Sequence, residues 1–156
     1  MDNVIEHLDY PGQYVDKASE LLNESGVIVI KTPNSSGLLE QIEYMVLSYC
    51  PKFISKGIMK LLHNKYSIGS GTVHRYGNLH PPVHLSLFNR KSITKALTAS
   101  GFKNKNIKVL SGSEYFHLWR VKRPKPIGLF SNFLKFLKRL GDFTKRGDML
   151  ITVAHK

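Results

Sequence analysis

Four consecutive β-branched residues, Val27-Ile28-Val29-Ile30, lie between Gly26 and the chain-breaking Thr32-Pro33-Asn34. A stretch apolar at every position offers no polar face to water, and branched side chains suit a pleated strand. It reads as a short strand buried on both faces, as in a parallel sheet with helices above and below. The flanks agree. Asp9 and Pro11 are helix-start residues. Val15, Ala18, Leu21 and Leu22 then share one helical face, and Gly26 ends that helix. Beyond the strand, Ser35 or Ser36 can cap a second helix whose apolar stripe is Leu38, Leu39, Ile42, Met45, Val46 and Tyr49. Helices are predicted over 11–24 and 36–49, around a strand over 27–31, which is the rhythm of an α/β fold. The chain opens on Met1-Asp2-Asn3-Val4-Ile5-Glu6-His7-Leu8. This reads as the end of a buried strand running into the first helix, with no strand start before it.

Residues 50–83 interrupt the rhythm. Gly69, Gly71, Gly77, Pro81 and Pro82 punctuate them. Beyond a short helix over 53–62 the segment reads as an insertion or lid. Ile68-Gly69-Ser70-Gly71-Thr72 lacks the lysine of a P-loop and the full dinucleotide glycine pattern, so it is a hinge rather than a phosphate site. Regular structure is expected again from His84-Leu85-Ser86-Leu87-Phe88. Asn89 can cap a helix over 90–99 carrying Ile93, Ala96 and Leu97, Gly101 ends it, and a strand follows over 106–110. Residues 111–146 form a basic, aromatic insertion. It contains a semi-extended linker, Arg120-Val121-Lys122-Arg123-Pro124-Lys125-Pro126, and a helix over 129–140. Phe130, Phe133, Leu134, Leu137 and Leu140 share one face of that helix, Lys135, Lys138 and Arg139 lie away from it, and Phe136 falls off the stripe. Phenylalanine on one side and lysine on the other is the pattern of an interfacial helix. The last strand is predicted over 148–154.

Charge divides the chain. The net charge is +12. Residues 1–50 hold two basic and eight acidic side chains, and residues 51–156 hold twenty-one basic and three acidic. The halves thus carry −6 and +18, which fits either an anionic partner for the second (nucleic acid, acidic lipid headgroups or a phosphorylated substrate) or a solvated basic surface whose acidic counterpart lies upstream. No run of roughly 18 apolar residues is present, so no helix spans a membrane. The acidic N-terminus does not resemble a signal peptide. Cys50 is the only cysteine. It excludes an internal disulfide and a cysteine-rich metal site, and it fits a reducing, cytoplasmic setting.

Four blocks, in order, resemble the class I S-adenosylmethionine-dependent methyltransferases, in particular the ubiquinone-biosynthesis O-methyltransferase subgroup. Val4-Ile5-Glu6-His7-Leu8 with Asp9-Tyr10-Pro11 is similar to the subgroup's fourth strand and the turn after it. Gly26-Val27-Ile28-Val29-Ile30 with Thr32-Pro33-Asn34 is similar to its fifth strand and loop. His84-Leu85 to Phe88, Ser92-Ile93 and Gly101-Phe102 match the helix before its sixth strand. Gly147-Asp148-Met149-Leu150-Ile151-Thr152-Val153-Ala154 matches its last, antiparallel strand.

The resemblance implies the C-terminal half of a Rossmann-like methyltransferase sheet, with strand 148–154 inserted between the other two. It also implies a single partial domain over 1–156 that is truncated at its N-terminus. The family's glycine-rich first turn and the acidic residue for the cofactor ribose have no counterpart in this sequence. The resemblance places Asn3 and Val4 beside S-adenosylmethionine, and Glu6, Asn34 and Phe88 on the substrate side. His7 and His84 are its candidate proton acceptors, because an imidazole exchanges protons near neutral pH. Glu6 and His7 give only two ligands, so no metal is assigned. The implied reaction of a complete parent is methylation, on oxygen, of a small-molecule, sugar or lipid-linked acceptor, with peripheral membrane contact through 129–140. The chain by itself is expected to be an inactive fragment. The alternative is a non-catalytic basic module that binds a membrane surface or nucleic acid. The basic and aromatic residues of 115–123 would serve nucleic acid, though without a recognised signature.

Overall fold

In the computed structural model, the residues described are 1–49, 84–112 and 125–156, with Pro51 and Ile54. The predicted lid over 50–83 apart from those two, the hinge at 68–72, Cys50 and the aromatic run of 115–123 lie outside them.

Three strands form one sheet in the order β1-β3-β2. They are β1 (Val27–Pro33), β2 (Ile107–Gly112) and β3 (Met149–His155). β3 runs antiparallel to both neighbours, with Ile30 opposite Thr152 and Val109 opposite Thr152 on its other side. β1 and β2 are therefore parallel to one another, and the predicted insertion of the last strand between them is what the sheet shows. On the far side of β1, Asp2 makes a single parallel bridge to Lys31. The Lys31 amide donates to the Met1 carbonyl at 2.8 Å, and the Asn3 amide donates to the Lys31 carbonyl at 2.9 Å.

The expected strand end at 4–8 is corrected here. Pairing stops at Asn3, which takes a left-handed backbone (φ 49°), a conformation asparagine tolerates. Ile5–His7 is a 3₁₀ turn. Ile5 and Glu6 are buried by the turn, which is why the segment reads as apolar and strand-like.

Four helices complete the described fold: α1 (Pro11–Leu21), α2 (Leu38–Tyr49), α3 (Arg90–Ala99) and α4 (Lys125–Phe143). Pro11 occupies the first turn of α1 as expected, but the cap position is Tyr10 rather than Asp9. α1 ends at Leu21, three residues before the expected end. Gly26 serves the following turn: a Cβ there would stand 2.8 Å from the Asn23 carbonyl oxygen. α2 begins after Gly37. The Ser35 hydroxyl is committed to the Phe88 carbonyl at 2.9 Å, so it does not cap α2. Within the stripe predicted for α2, Leu38, Leu39 and Ile42 are half-buried while Met45 and Tyr49 are exposed. α3 carries a complete capping box, in which the Asn89 side chain accepts from the Ser92 amide and the Ser92 hydroxyl accepts from the Asn89 amide. Gly101 follows with φ 92°, the left-handed position that favours glycine. α4 is longer than expected and starts inside the predicted linker. Pro126 is tolerated there because first-turn amides have no intrahelical acceptor.

α1 and α3 cover one face of the sheet. Val15, Ile93, Leu97 and Phe102 pack on Ile28, Ile30, Val109, Leu150 and Ala154. The expectation that β1 is buried on both faces is overturned, since Val27 and Val29 are exposed and only Ile28, Ile30 and Thr32 are enclosed.

Candidate functional site

In open α/β sheets, ligands bind outside the carboxyl ends of the parallel strands. Among the described residues, that end is built from the turn after Asn3, the loop after β1 and the end of β2 at Gly112. The 3₁₀ turn carries Glu6 inward and leaves His7 at the surface. The Glu6 carboxylate reaches the last buried position of β1, where Oε2 accepts from the Thr32 hydroxyl at 3.1 Å. Its backbone carbonyl accepts from the amides of Leu85 (2.9 Å) and Ser86 (3.1 Å). Those two bonds pin the segment before α3 to the turn and bring His84 against His7. The ring centroids lie 4.8 Å apart at a tilt of 51°.

Glu6, His7 and His84 thus converge, each offering a ligand atom within 4.8 Å of the others. His7 Nε2 stands 3.9 Å from Glu6 Oε1. That oxygen is buried and has no hydrogen-bond partner among the described residues. A buried carboxylate oxygen is costly without a donor or a cation, so the cluster is poised to accept one. It can take a proton from a hydroxyl group through an imidazole, or hold a divalent ion with a carboxylate and two imidazoles, a donor set that such ions use. The sequence offered only the two adjacent ligands. The third arrives through backbone bonds spanning nearly eighty residues, for which no local pattern exists.

The remaining predicted residues are placed differently. Asn34 is buried and serves as a bracket. Its Nδ2 donates to the Gly147 carbonyl at 2.7 Å, its Oδ1 accepts from the Ser36 amide at 3.1 Å, and its own amide donates to the Asp148 carbonyl at 2.7 Å. Phe88 bridges Asn34 and is buried in the core. Asn3 and Val4 are exposed at the open edge of the short pairing with β1. The Asp2 carboxylate beside them is engaged by Lys31 at 3.3 Å. Asn3 and Val4, both exposed, do not by themselves enclose S-adenosylmethionine.

The family profile described as a methyltransferase domain matches residues 1–107, more than half of the chain. The chain belongs to that family. A crystal structure of a SAM dependent methyltransferase from Archaeoglobus fulgidus is similar in fold, with a TM-score of 0.52 at 15% identity. The similarity covers 100% of this chain and 57% of that one, so the chain spans little more than half the length of that relative. No curated protein matches.

Proposed function

We propose that this chain forms the acceptor side of an S-adenosylmethionine-dependent methyltransferase that methylates a small-molecule, sugar or lipid-linked acceptor on oxygen. The family match supports the reaction class. The observation that carries the acceptor side is the Glu6–His7–His84 cluster, with its unpartnered Glu6 oxygen, at the carboxyl end of β1. S-adenosylmethionine, when bound, supplies an electrophilic methyl group. The task left to this chain is to orient a hydroxyl and accept its proton. His7, the more exposed of the two imidazoles, meets the acceptor, with its Nε2 3.9 Å from Glu6 Oε1.

Isothermal titration of this chain with S-adenosylmethionine is expected to show weak binding or none. A micromolar constant, about −8 kcal/mol, would mean that residues 1–156 enclose the cofactor after all. In a protein carrying a complete cofactor half ahead of residue 1, His7→Ala with His84→Ala should lower methyl transfer roughly 10²–10⁴-fold. Undiminished transfer overturns the proton-acceptor role. A second reading, favoured by the same Glu6 oxygen, is a divalent cation held by the three side chains. Titration with Mn²⁺ or Zn²⁺ should then give one site that Glu6→Gln weakens at least tenfold, and no heat from either ion removes it.

A further inference from the structure

The orientation of α4 is fixed from one side. Lys138 Nζ meets Asp148 Oδ2 at 2.6 Å, just before β3. Gly141 lets the helix close on its surroundings: a Cβ there would stand 2.9 Å from the Arg146 carbonyl oxygen and 3.5 Å from the Leu38 Cβ. These contacts turn the opposite side of the helix outward. At about 100° per residue, Phe133, Phe136, Leu140 and Phe143 fall within one stripe roughly 80° wide, about 140–220° round from Lys138. They are 54%, 60%, 39% and 86% exposed. Phe136, off the stripe in the sequence reading, is thus part of the outward one, and Leu137 is half-buried.

Taking about 200 Å² per aromatic side chain, the three phenylalanines leave on the order of 400 Å² of apolar surface on one helix. That compares with the largest patch of an ordinary monomer, and such patches are often functional. The stripe has a basic flank. Arg139 stands about 40° from its edge and is exposed. Residues 125–156 carry seven basic and two acidic side chains. No helix among the described residues is long and apolar enough to cross a membrane.

We propose that this face of α4 docks on an anionic membrane surface, lying in the interface plane with the phenylalanines among the acyl chains and Arg139 at the headgroups. Charge selects this occupant. A second copy would bring an equally basic flank against this one, and a nucleic acid would leave the aliphatic and aromatic stripe in water. A sheet extended beyond residues 1–3 would grow away from β2 and α4, because β1 and β3 stand between. The proposal does not rest on the methyl-transfer reading.

The test is flotation of the whole chain with vesicles of phosphatidylcholine alone and with 30% (about one lipid in three) phosphatidylglycerol, at low and high salt. Binding to the anionic vesicles is expected, weaker at high salt, and at least tenfold weaker in Phe136→Ser, Phe143→Ser. Both positions are exposed, so the variant should keep its unfolding midpoint. A second variant, Phe143→Trp, keeps the stripe apolar, and its emission should shift to the blue with anionic vesicles. Absence of binding by the unaltered chain overturns the proposal. So does equal binding by the folded serine variant, or a tryptophan whose emission does not move. If the serine variant instead converts an oligomer to a monomer while vesicle binding stays absent, the stripe is a contact between copies. RNA binding without vesicle binding assigns the basic half to nucleic acid. Either result rejects the membrane.

Discussion

The two faces of the sheet were built from the same kinds of residue and have different fates. On one, Ile28, Ile30, Val109, Leu150 and Ala154 lie under α1 and α3. On the other, Val27, Val29, Leu110 and Ile151 remain exposed. Lys31 and Lys108 lie on this second face, where Lys31 stands opposite Ile151 and Lys108 opposite Val153. Strands that include a parallel pair normally carry helices on both faces. The apolar residues of the second face follow that rule in composition, but the described helices supply the cover on one side only. A continuous apolar run therefore reports what a strand can be buried by, and not whether the cover is present.

The comparison breaks most clearly in the covered face. Ile30→Ala and Leu150→Ala each remove side chains with no solvent exposure to speak of and should cost about 2–5 kcal/mol in urea unfolding. Losses below about 1 kcal/mol would mean that the packing under α1 and α3 is loose. Next in size is Gly147→Ala, at the end of the sheet where β2 and β3 meet. Its Cβ would stand 2.5 Å from the Gly112 carbonyl carbon and 2.6 Å from its oxygen. Overpacking of that kind should cost about 1–3 kcal/mol. An unchanged midpoint would show that the two backbones separate freely. Asn89→Ala loosens α3, one of the two covering helices, by removing its capping box, and a loss of about 1 kcal/mol is expected by thermal unfolding. The smallest effect belongs to the open face. Val29→Thr and Leu110→Thr should each stay within about 0.5 kcal/mol of the unaltered chain. In size-exclusion chromatography they should reduce any self-association. A loss of several kcal/mol from either would place a cover on this face.

Legibility followed the range of the interaction. α3, with Asn89 before it and Gly101 after it, could be read from sequence because its caps are local. The strands were legible as apolar runs, and their order came with the family resemblance. What escaped depends on distant partners. Leu21 ends α1 because the turn through Asn23 and Gly26 begins earlier than the glycine suggests. The Val4-Ile5 pair looks like a strand, yet Ile5 is enclosed by a 3₁₀ turn. His84 joins Glu6 and His7 through main-chain bonds to Leu85 and Ser86, which carry no side-chain signature. The outward face of α4 was misjudged by part of a turn, since the Lys138–Asp148 ion pair that sets its rotation joins residues in different elements.

The placement of β3 has a kinetic consequence. It pairs with β1 along seven residues and with β2 along six, and β1 and β2 do not pair with one another. Until residues 149–155 have left the ribosome, two strands some eighty residues apart have no common partner, and each keeps an unsatisfied edge. Folding of this sheet must then be a late, nearly single event with high contact order, slower than helix formation in α1 or α3. A nascent chain stalled before residue 149 would present those two edges together, and that is the stage at which a chaperone has the most to protect.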